Sequence, residues 1–180
     1  MVRFIEWVDL MDTYQLPRWS ELPAIELYMD QVVEFVNECL APLFPNNKKI
    51  ITSTMINNYV KLKMIESPVK KRYARGHIAS IIAITILKQI FPIIEITKGI
   101  AIHKKKYGSE KAFDLFCSEQ EQAIKKICMQ IKNEGNFNFH IDKQENMLLL
   151  ELATIAFASK VFAVNMLEVH DKKKVKKKEN

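Results

Sequence analysis

The chain is poor in residues that turn the backbone. Its 180 residues include four glycines and six prolines. The Asn-Gly and Asp-Gly pairs that close two-residue hairpins are absent from it. A meander of short strands needs many such turns, whereas long helices need few. We therefore expect a mostly α-helical protein, with one compact unit of one or two subdomains.

Cysteine is also scarce, and its spacing excludes several kinds of site. Cys39, Cys117 and Cys128 are odd in number and far apart, which fits neither a disulfide framework nor a C-x-x-C motif. The four histidines form no H-E-x-x-H or Cys/His spacing. We expect no metal site and no cofactor, and we expect the three thiols to pack as small apolar side chains.

Signals of catalysis, of a bilayer-spanning segment and of secretion are missing too. The sequence contains no nucleophile elbow and no phosphate-cradling glycine loop, so an enzyme is not expected. The longest apolar run, Ile78–Leu87, is too short to cross a bilayer, and the N-terminus lacks the plan of a signal peptide. These absences predict a soluble cytoplasmic protein.

Acidic residues are rare in the middle of the chain. Residues 48–106 hold thirteen Lys/Arg and two acids, a formal charge of +11. Residues 1–47 carry −6, residues 107–170 carry −3, and the Lys-rich residues 171–180 carry +4. A basic block between acidic segments indicates a face that meets a polyanion, most often nucleic acid. An ordinary solvated Lys-rich surface is the alternative.

Apolar periodicity predicts the helices of the N-terminal half. Apolar residues at helical spacing place helices at about 2–14 and 23–40, the second with Pro23 in its first turn. Ala74–Phe91 is apolar nearly all round and therefore buried. Its isoleucines also suit a strand, but its length and the position of Lys88 favour a helix. Another helix follows Pro92.

Two more helices are expected in the C-terminal half. Ser109–Lys132 is clearly amphipathic, while the helix from about Lys143 to Val169 is apolar over most of its surface. Such a helix needs covering on several sides, which favours a homodimer. Residues 135–139 read as a loop. The charged tail 171–180 is low-complexity and is predicted to be disordered.

The segment that follows Thr52 has the composition of a recognition helix. Thr52, Ser53 and Thr54 offer an N-cap, and the apolar positions after them lie on one helix face. The opposite face carries Asn57, Asn58 and Lys61, side chains that can read base edges and bind phosphates. After Ser67-Pro68 comes the compact basic loop VKKRY.

The same segment resembles the winged helix-turn-helix of MerR-type regulators. The string MINNY at 55–59 resembles the family's recognition helix, KRY at 71–73 its basic wing, and IIEI at 93–96 its "L-x-E-I" box. Asn57 stands at the family's usual arginine and Lys63 at its glycine. The phrases LPRWSELP, ELYMDQV, MINNYVK and KKRY are more closely similar to the bacterial family called domain of unknown function 1836, over about residues 16–106.

The resemblance implies an all-α fold: a MerR-like winged helix-turn-helix with a small basic wing, followed by a helical C-terminal subdomain. Its divisions are an N-terminal arm at 1–22, the winged helix-turn-helix at 23–106, the helical subdomain at 107–170 for dimerisation or an effector, and the tail at 171–180. It implies a transcriptional regulator that reads double-stranded DNA with helix 54–63 and a wing at 69–73. The DNA-binding residues expected from the pattern and the resemblance are Thr52, Ser53, Thr54, Asn57, Asn58, Tyr59, Lys61, Lys63, Lys70, Lys71, Arg72, Tyr73, Arg75 and His77.

Two other interpretations stay open at this point. The chain can be a protein-interaction module that has a winged-helix fold without groove reading, with the apolar C-terminal helices as its partner site. A small-molecule effector pocket in the helical C-terminal half is also possible, although Met147, Phe157 and Met166 suit a simple core. Tyr59 and Tyr73 each have a packing role as an alternative to a DNA contact.

Overall fold

The computed structural model describes residues 2–45, 49–132 and 145–176, and the regular secondary structure in these ranges is helical. The bounds of the helices are α1 Val2–Asp12, α2 Met29–Leu40, α3 Ser53–Lys61, α4 Arg75–Leu87, α5 Ile93–Tyr107, α6 Ser109–Ile131 and α7 Glu145–Lys176. Two short 3₁₀ turns lie at Trp19–Glu21 and Ala41–Leu43. In these ranges β-pairing is limited to two isolated bridges. The all-α prediction is confirmed.

One hydrophobic core joins all seven helices. It extends from Phe4 in α1 to Phe162 in α7. Every residue from Ile78 to Ile86 in α4 is buried, because α2, α6 and α7 all pack on that helix. The prediction that this isoleucine-rich segment forms a buried helix is therefore confirmed. The long helix α6 packs against α1, α4, α5 and α7 and thereby connects the two ends of the chain.

The helix predicted at 23–40 begins six residues late, at Met29. Leu27 is held in an extended bridge with Tyr73, in which each backbone N–H donates to the other residue's carbonyl at 3.0 and 2.8 Å. A residue paired in this way cannot adopt the helical conformation, so the helix does not begin at Pro23. Tyr28 becomes the N-cap residue, and its N–H donates to the Gln31 side chain at 2.9 Å.

The last helix is longer than expected. The backbone of α7 is helical to Lys176, which covers six of the ten residues that the sequence assigned to a disordered tail. Lysine is a good helix former, and extending an existing helix adds one hydrogen bond for each residue that is fixed. Residues 177–180 and the predicted loop at 135–139 lie outside the described residues.

Within α7, the stretch Met147–Leu167 is long and apolar enough to cross a bilayer. Its mean hydropathy is 1.9, and 33% of it is buried inside the protein. The core helix of a soluble protein passes the same test of length and composition. Leu150, Phe157 and Val161 on one side of α7 are buried, whereas Leu152 and Leu167 are exposed. The helix packs mainly on α6.

Ion pairs fasten the N-terminal segment to α6, and we call this set of contacts the N-terminal clamp. The Arg18 guanidinium donates two hydrogen bonds of 2.6 Å to the Glu121 carboxylate, which also accepts from the Leu16 N–H at 2.8 Å. The Trp19 N–H donates to Asp114 at 2.7 Å. These contacts position the turn-rich segment before α2. Trp19 itself lies against Phe113.

The other part of the clamp lies at the end of α6. The Lys132 ammonium lies 2.8 Å from an Asp9 carboxylate oxygen and 3.1 Å from an Asp12 oxygen. Hydrogen bonds to these two carboxylates raise the pKa of Lys132 above its usual range. The acidic N-terminal segment is thus partly neutralised within the fold.

Candidate nucleic-acid interface

The exposed face of α3 is a polar stripe. Ser53, Thr54, Asn57, Asn58 and Lys61 are all exposed, and their spacing puts them on one side of the helix. The opposite side enters the core through Ile56 and Tyr59. α3 therefore presents polar groups to solvent where the sequence predicted a reading face.

Two predicted contact residues at α3 have structural roles instead. Tyr59 is 0% exposed, so the prediction that it touches a DNA backbone is wrong. Thr52 is the N-cap: its hydroxyl accepts a hydrogen bond of 3.3 Å from the Met55 N–H. The cap is satisfied within the helix, and the exposed Ser53 and Thr54 stay available to a ligand.

Asn37 on α2 fixes the loop that leads into α3. Its side-chain oxygen accepts from the N–H groups of Ile50 and Ile51 at 2.8 and 3.2 Å. Its amide nitrogen donates to the carbonyls of Ile51 and Val33. The sequence does not reveal this role of Asn37, because a single asparagine in an amphipathic helix gives no local signal of a long-range contact.

A tight turn forms at the predicted wing. Val69 and Arg72 form a bridge, with the Arg72 N–H 2.9 Å from the Val69 carbonyl oxygen. The two residues between them have positive φ, 50° at Lys70 and 63° at Lys71, as in the type I′ turns of hairpins. The turn forms without the Asn-Gly or Asp-Gly pair that is usual in two-residue hairpins. Both lysines are exposed at its tip.

Tyr28 contacts the tight turn at 69–72, and no local pattern in the sequence indicates this contact. The Arg72 guanidinium lies 5.0 Å from the centroid of the Tyr28 ring and donates a hydrogen bond of 3.0 Å to its hydroxyl. Tyr28 is 48% exposed at the N-terminus of α2. The pair presents a cation and an aromatic side chain together at the surface.

Three further predicted residues at the end of the wing are partly or wholly inside the fold. Tyr73 is 3% exposed and packs edge-on against His77, so its prediction as a contact residue is wrong. The His77 Nδ1 accepts a hydrogen bond of 3.0 Å from the Ala74 N–H and completes the N-terminal cap of α4. Arg75 is half-buried in the first turn of α4.

Lys63 has an unusual backbone conformation at the end of α3. Its φ is 55°, its N–H donates to the Val60 carbonyl, and the Met64 N–H donates to the Tyr59 carbonyl. This is a complete Schellman motif, in which glycine is the usual residue at the left-handed position. α3 thus ends at Lys61, two residues before the expected end of the recognition helix.

The exposed cations here have no carboxylate partner among the described residues. We define the basic face as Lys61, Lys63, Lys70, Lys71 and Arg72. Where the chain is described, the ion pairs belong to the N-terminal clamp, and none involves this face. The first turns of α3 and α4 also contain no acidic residue, unlike those of α2, α5 and α6. Both helix starts therefore keep their positive potential.

Comparison with known proteins gives a family but no activity. The model of the family described as Domain of unknown function (DUF1836) matches residues 17–127. The match begins in the N-terminal clamp beside Arg18 and ends in α6, so it includes both partners of the Arg18–Glu121 pair. At its C-terminal end the match continues 21 residues beyond the segment 16–106 over which the resemblance was expected. No curated protein and no solved structure matches the chain.

Proposed function

The chain belongs to the DUF1836 family, whose description assigns no activity, and we propose that it is a DNA-binding transcriptional regulator with a MerR-like winged helix-turn-helix. In this proposal α2 and α3 are the helix-turn-helix, and the turn at 69–72 is the wing. The basic face contacts duplex DNA. The helix order, the polar stripe of α3 and the contact of the wing with Tyr28 support this assignment.

The observation that carries the proposal is the backbone conformation of three lysines. In the described part of the chain, the non-glycine residues with positive φ are Lys63, Lys70 and Lys71. A side chain in this conformation costs about 1 kcal/mol relative to glycine. Strained residues of this kind tend to cluster at functional sites. All three positions carry an exposed cation where glycine or asparagine fits the backbone better, which indicates that the charge is needed.

The polar stripe of α3 and the basic face have separate roles in this proposal. Asn57 and Asn58 hydrogen-bond to base edges in the major groove, and Lys61 and Lys63 bind the flanking phosphates. The wing grips the neighbouring backbone through Lys70, Lys71 and Arg72. The Tyr28 ring holds the Arg72 guanidinium in place, so that less side-chain entropy is lost on binding.

Two copies of the chain associate through α7 in this proposal. Residues 149, 152, 156, 159, 163 and 166 of α7 recur at alternating spacings of three and four, and these are Leu, Leu, Ala, Ser, Ala and Met. That spacing is typical of a helix pair, and the small residues allow close approach. A symmetric dimer also suits two DNA half-sites. Light scattering after size exclusion tests it: Leu152→Lys with Met166→Lys gives monomers.

Salt dependence of DNA binding tests the main proposal. Fluorescence anisotropy with mixed duplexes measures the affinity, and selection from random duplexes then identifies the bound sequence. If about six cations meet phosphates, the slope of log affinity against log salt is about −5. The same slope must persist in a chain that ends at residue 170, because the clustered lysines of the tail bind DNA without any fold. A slope near zero in that chain refutes the proposal.

A protein-interaction module is the second candidate. It is favoured by the exposed apolar residues of α7 and by Asn57 at the position where MerR-type regulators carry arginine. In that case the chain is a solution monomer that binds no DNA at low salt, and its partner covers α7. Asn57→Ala and Asn58→Ala separate the two candidates, because they relax the selected DNA sequence only if α3 reads bases.

A further inference from the structure

An apolar cavity lies between α4, α5, α6 and α7. Its volume is about 360 Å³. Small side chains of α4 form its floor, and larger ones from the other helices form its walls. Examples are Gly76, Ala79 and Ala83 on the floor and Ile96, Phe113 and Leu150 on the walls. Because Gly76, Ala79 and Ala83 recur at helical spacing, this face of α4 carries only small side chains next to the cavity.

Gly99 has no packing role that the fold explains. It lies in the middle of α5 and lines the cavity, and a Cβ atom placed on it meets no other atom within 4 Å. Glycine inside a helix is destabilising relative to alanine. Close packing against a neighbour does not require it here, and its backbone is ordinary helix. An empty space kept open at a cost to the helix indicates a space that another molecule fills.

The titratable side chains that line the cavity are Glu95, Lys98, His103 and Lys104. The Lys104 ammonium donates a hydrogen bond of 3.0 Å to the Ser80 hydroxyl, which in turn donates to the Gly76 carbonyl at 2.8 Å. Ser80 is buried and both residues line the cavity. Burial lowers the pKa of Lys104, and the carboxylate of Glu66 partly opposes this. Lys105 and Lys106, one and two positions further along α5, do not line the cavity.

We propose that this cavity binds a small apolar monocarboxylate, with its chain against α4 and Gly99 and its carboxylate on the Lys104 ammonium. A cavity of this volume holds roughly ten to fifteen non-hydrogen atoms of such a ligand. The carboxylate replaces water around the ammonium with a charge-assisted hydrogen bond. This goes beyond the proposed DNA binding and does not depend on it, so its test uses no DNA.

Trp19 is the reporter for the test, because it lines the cavity and Trp7 does not. In the Trp7→Phe variant, Trp19 is the remaining tryptophan, and its fluorescence is titrated with decanoate below the micelle concentration. We expect a saturable change with a Kd of about 10 μM. Decanol has the same chain without the charge and binds about ten-fold more weakly. Calorimetry on the unsubstituted chain repeats both titrations in case Trp7→Phe perturbs the fold.

Matched variants locate the binding. Lys104→Ala lowers decanoate affinity to that of decanol, whereas Lys105→Ala, which removes the same charge one position along α5, leaves it unchanged. Gly99→Leu fills the cavity and abolishes binding of both ligands while circular dichroism stays helical. Gly99→Ala raises the urea midpoint of the ligand-free protein, because the methyl group enters open space.

Three outcomes overturn the proposal. The first is the absence of a saturable signal with decanoate in both fluorescence and calorimetry. The second is an equal loss of affinity in Lys104→Ala and Lys105→Ala, which identifies a general attraction to the basic protein. The third is full binding by Gly99→Leu, which places the ligand on an exposed apolar surface such as that of α7.

Discussion

The basic face and the N-terminal clamp both depend on arginine and lysine, but they use the charges differently. In the clamp, Arg18 and Lys132 are paired with carboxylates from a segment more than one hundred residues away. The cations of the basic face have no such partner among the described residues. The paired charges of the clamp stabilise the fold, whereas the unpaired cations of the basic face are accessible to a ligand.

The ion pairs of the clamp lie outside residues 48–106, so they remove nothing from the +11 of that segment. Its cations differ instead in where they lie. Lys104 directs its ammonium to Ser80 in the apolar cavity, and Lys104, Lys105 and Lys106 complement the C-terminal end of α5. Lys63, Lys70 and Lys71 have left-handed backbones. The following predictions test whether stability and DNA binding separate along this division.

The largest expected effect is on DNA affinity. Replacing Lys70, Lys71 and Arg72 by Ala lowers the affinity by about 100-fold and reduces the salt slope by about 3, because three phosphate contacts are lost. The free energy of unfolding changes by less than about 1 kcal/mol, since these side chains are exposed. Anisotropy and urea unfolding measure the two quantities.

A second triple variant is the control for charge alone. Lys111→Ala, Lys125→Ala and Lys126→Ala remove the same charge from α6. They leave the DNA affinity within a few-fold of that of the unsubstituted chain. Equal losses in the two triple variants contradict the assignment of the wing and favour a diffuse electrostatic attraction.

The opposite behaviour is expected in the clamp. Glu121→Ala lowers the free energy of unfolding by about 2 kcal/mol, because the Arg18 guanidinium and the Leu16 N–H lose their acceptor in a partly buried site. The DNA affinity of the folded protein stays the same. Glu110→Ala, at an exposed position of the same helix, is the control for a lost carboxylate. A large loss of DNA affinity in Glu121→Ala means that the two regions are not independent.

Lys63→Gly is expected to change stability and affinity in opposite directions. Glycine relieves the left-handed strain at the end of α3 and raises the free energy of unfolding by about 1 kcal/mol. The lost cation lowers DNA affinity by about five-fold. Lys61→Gly, in the helix itself, is the comparison and is expected to lower both. If Lys63→Gly stabilises the protein without weakening DNA binding, the strain has no functional cause.

The smallest effect concerns alkaline pH and the two buried thiols of α6. Burial raises the pKa of Cys117 and of Cys128 from 9.0 to about 12. Below about pH 8 both thiols are protonated in the folded and unfolded states, so their contribution is constant. As the pH rises through 9 towards 12, the unfolded state ionises first, and the free energy of unfolding is already lower by about 0.4 kcal/mol per thiol at pH 9. Urea unfolding at several pH values measures this slope.

Cys117→Ala with Cys128→Ala is the matching variant. It loses some stability at every pH because it leaves small cavities. Its slope between pH 8 and pH 10 is nevertheless shallower than that of the unsubstituted chain. An unchanged slope means that other groups control the alkaline loss of stability. DNA binding is measured at the same pH values, and the double variant changes it little because neither thiol lies on the basic face.

Local patterns in the sequence predicted most of the helices, because apolar periodicity records directly which face of a helix is buried. The buried helix α4 and the amphipathic helix α6 are examples, and the polar stripe of α3 follows from the same rule. The start of α2 and the buried positions of Tyr59 and Tyr73 show the limits of this reading. Each depends on a contact with a distant part of the chain.

What the sequence determined by itself was the all-α class, the buried and exposed faces of the helices and the concentration of positive charge, because these follow from neighbours along the chain. Tertiary structure decided which charges are paired, as in Arg18 with Glu121, and where the backbone is strained, as at Lys70 and Lys71. It also created the cavity beside Gly99. These features arise when residues far apart in sequence meet, and no local period encodes which residues will do so.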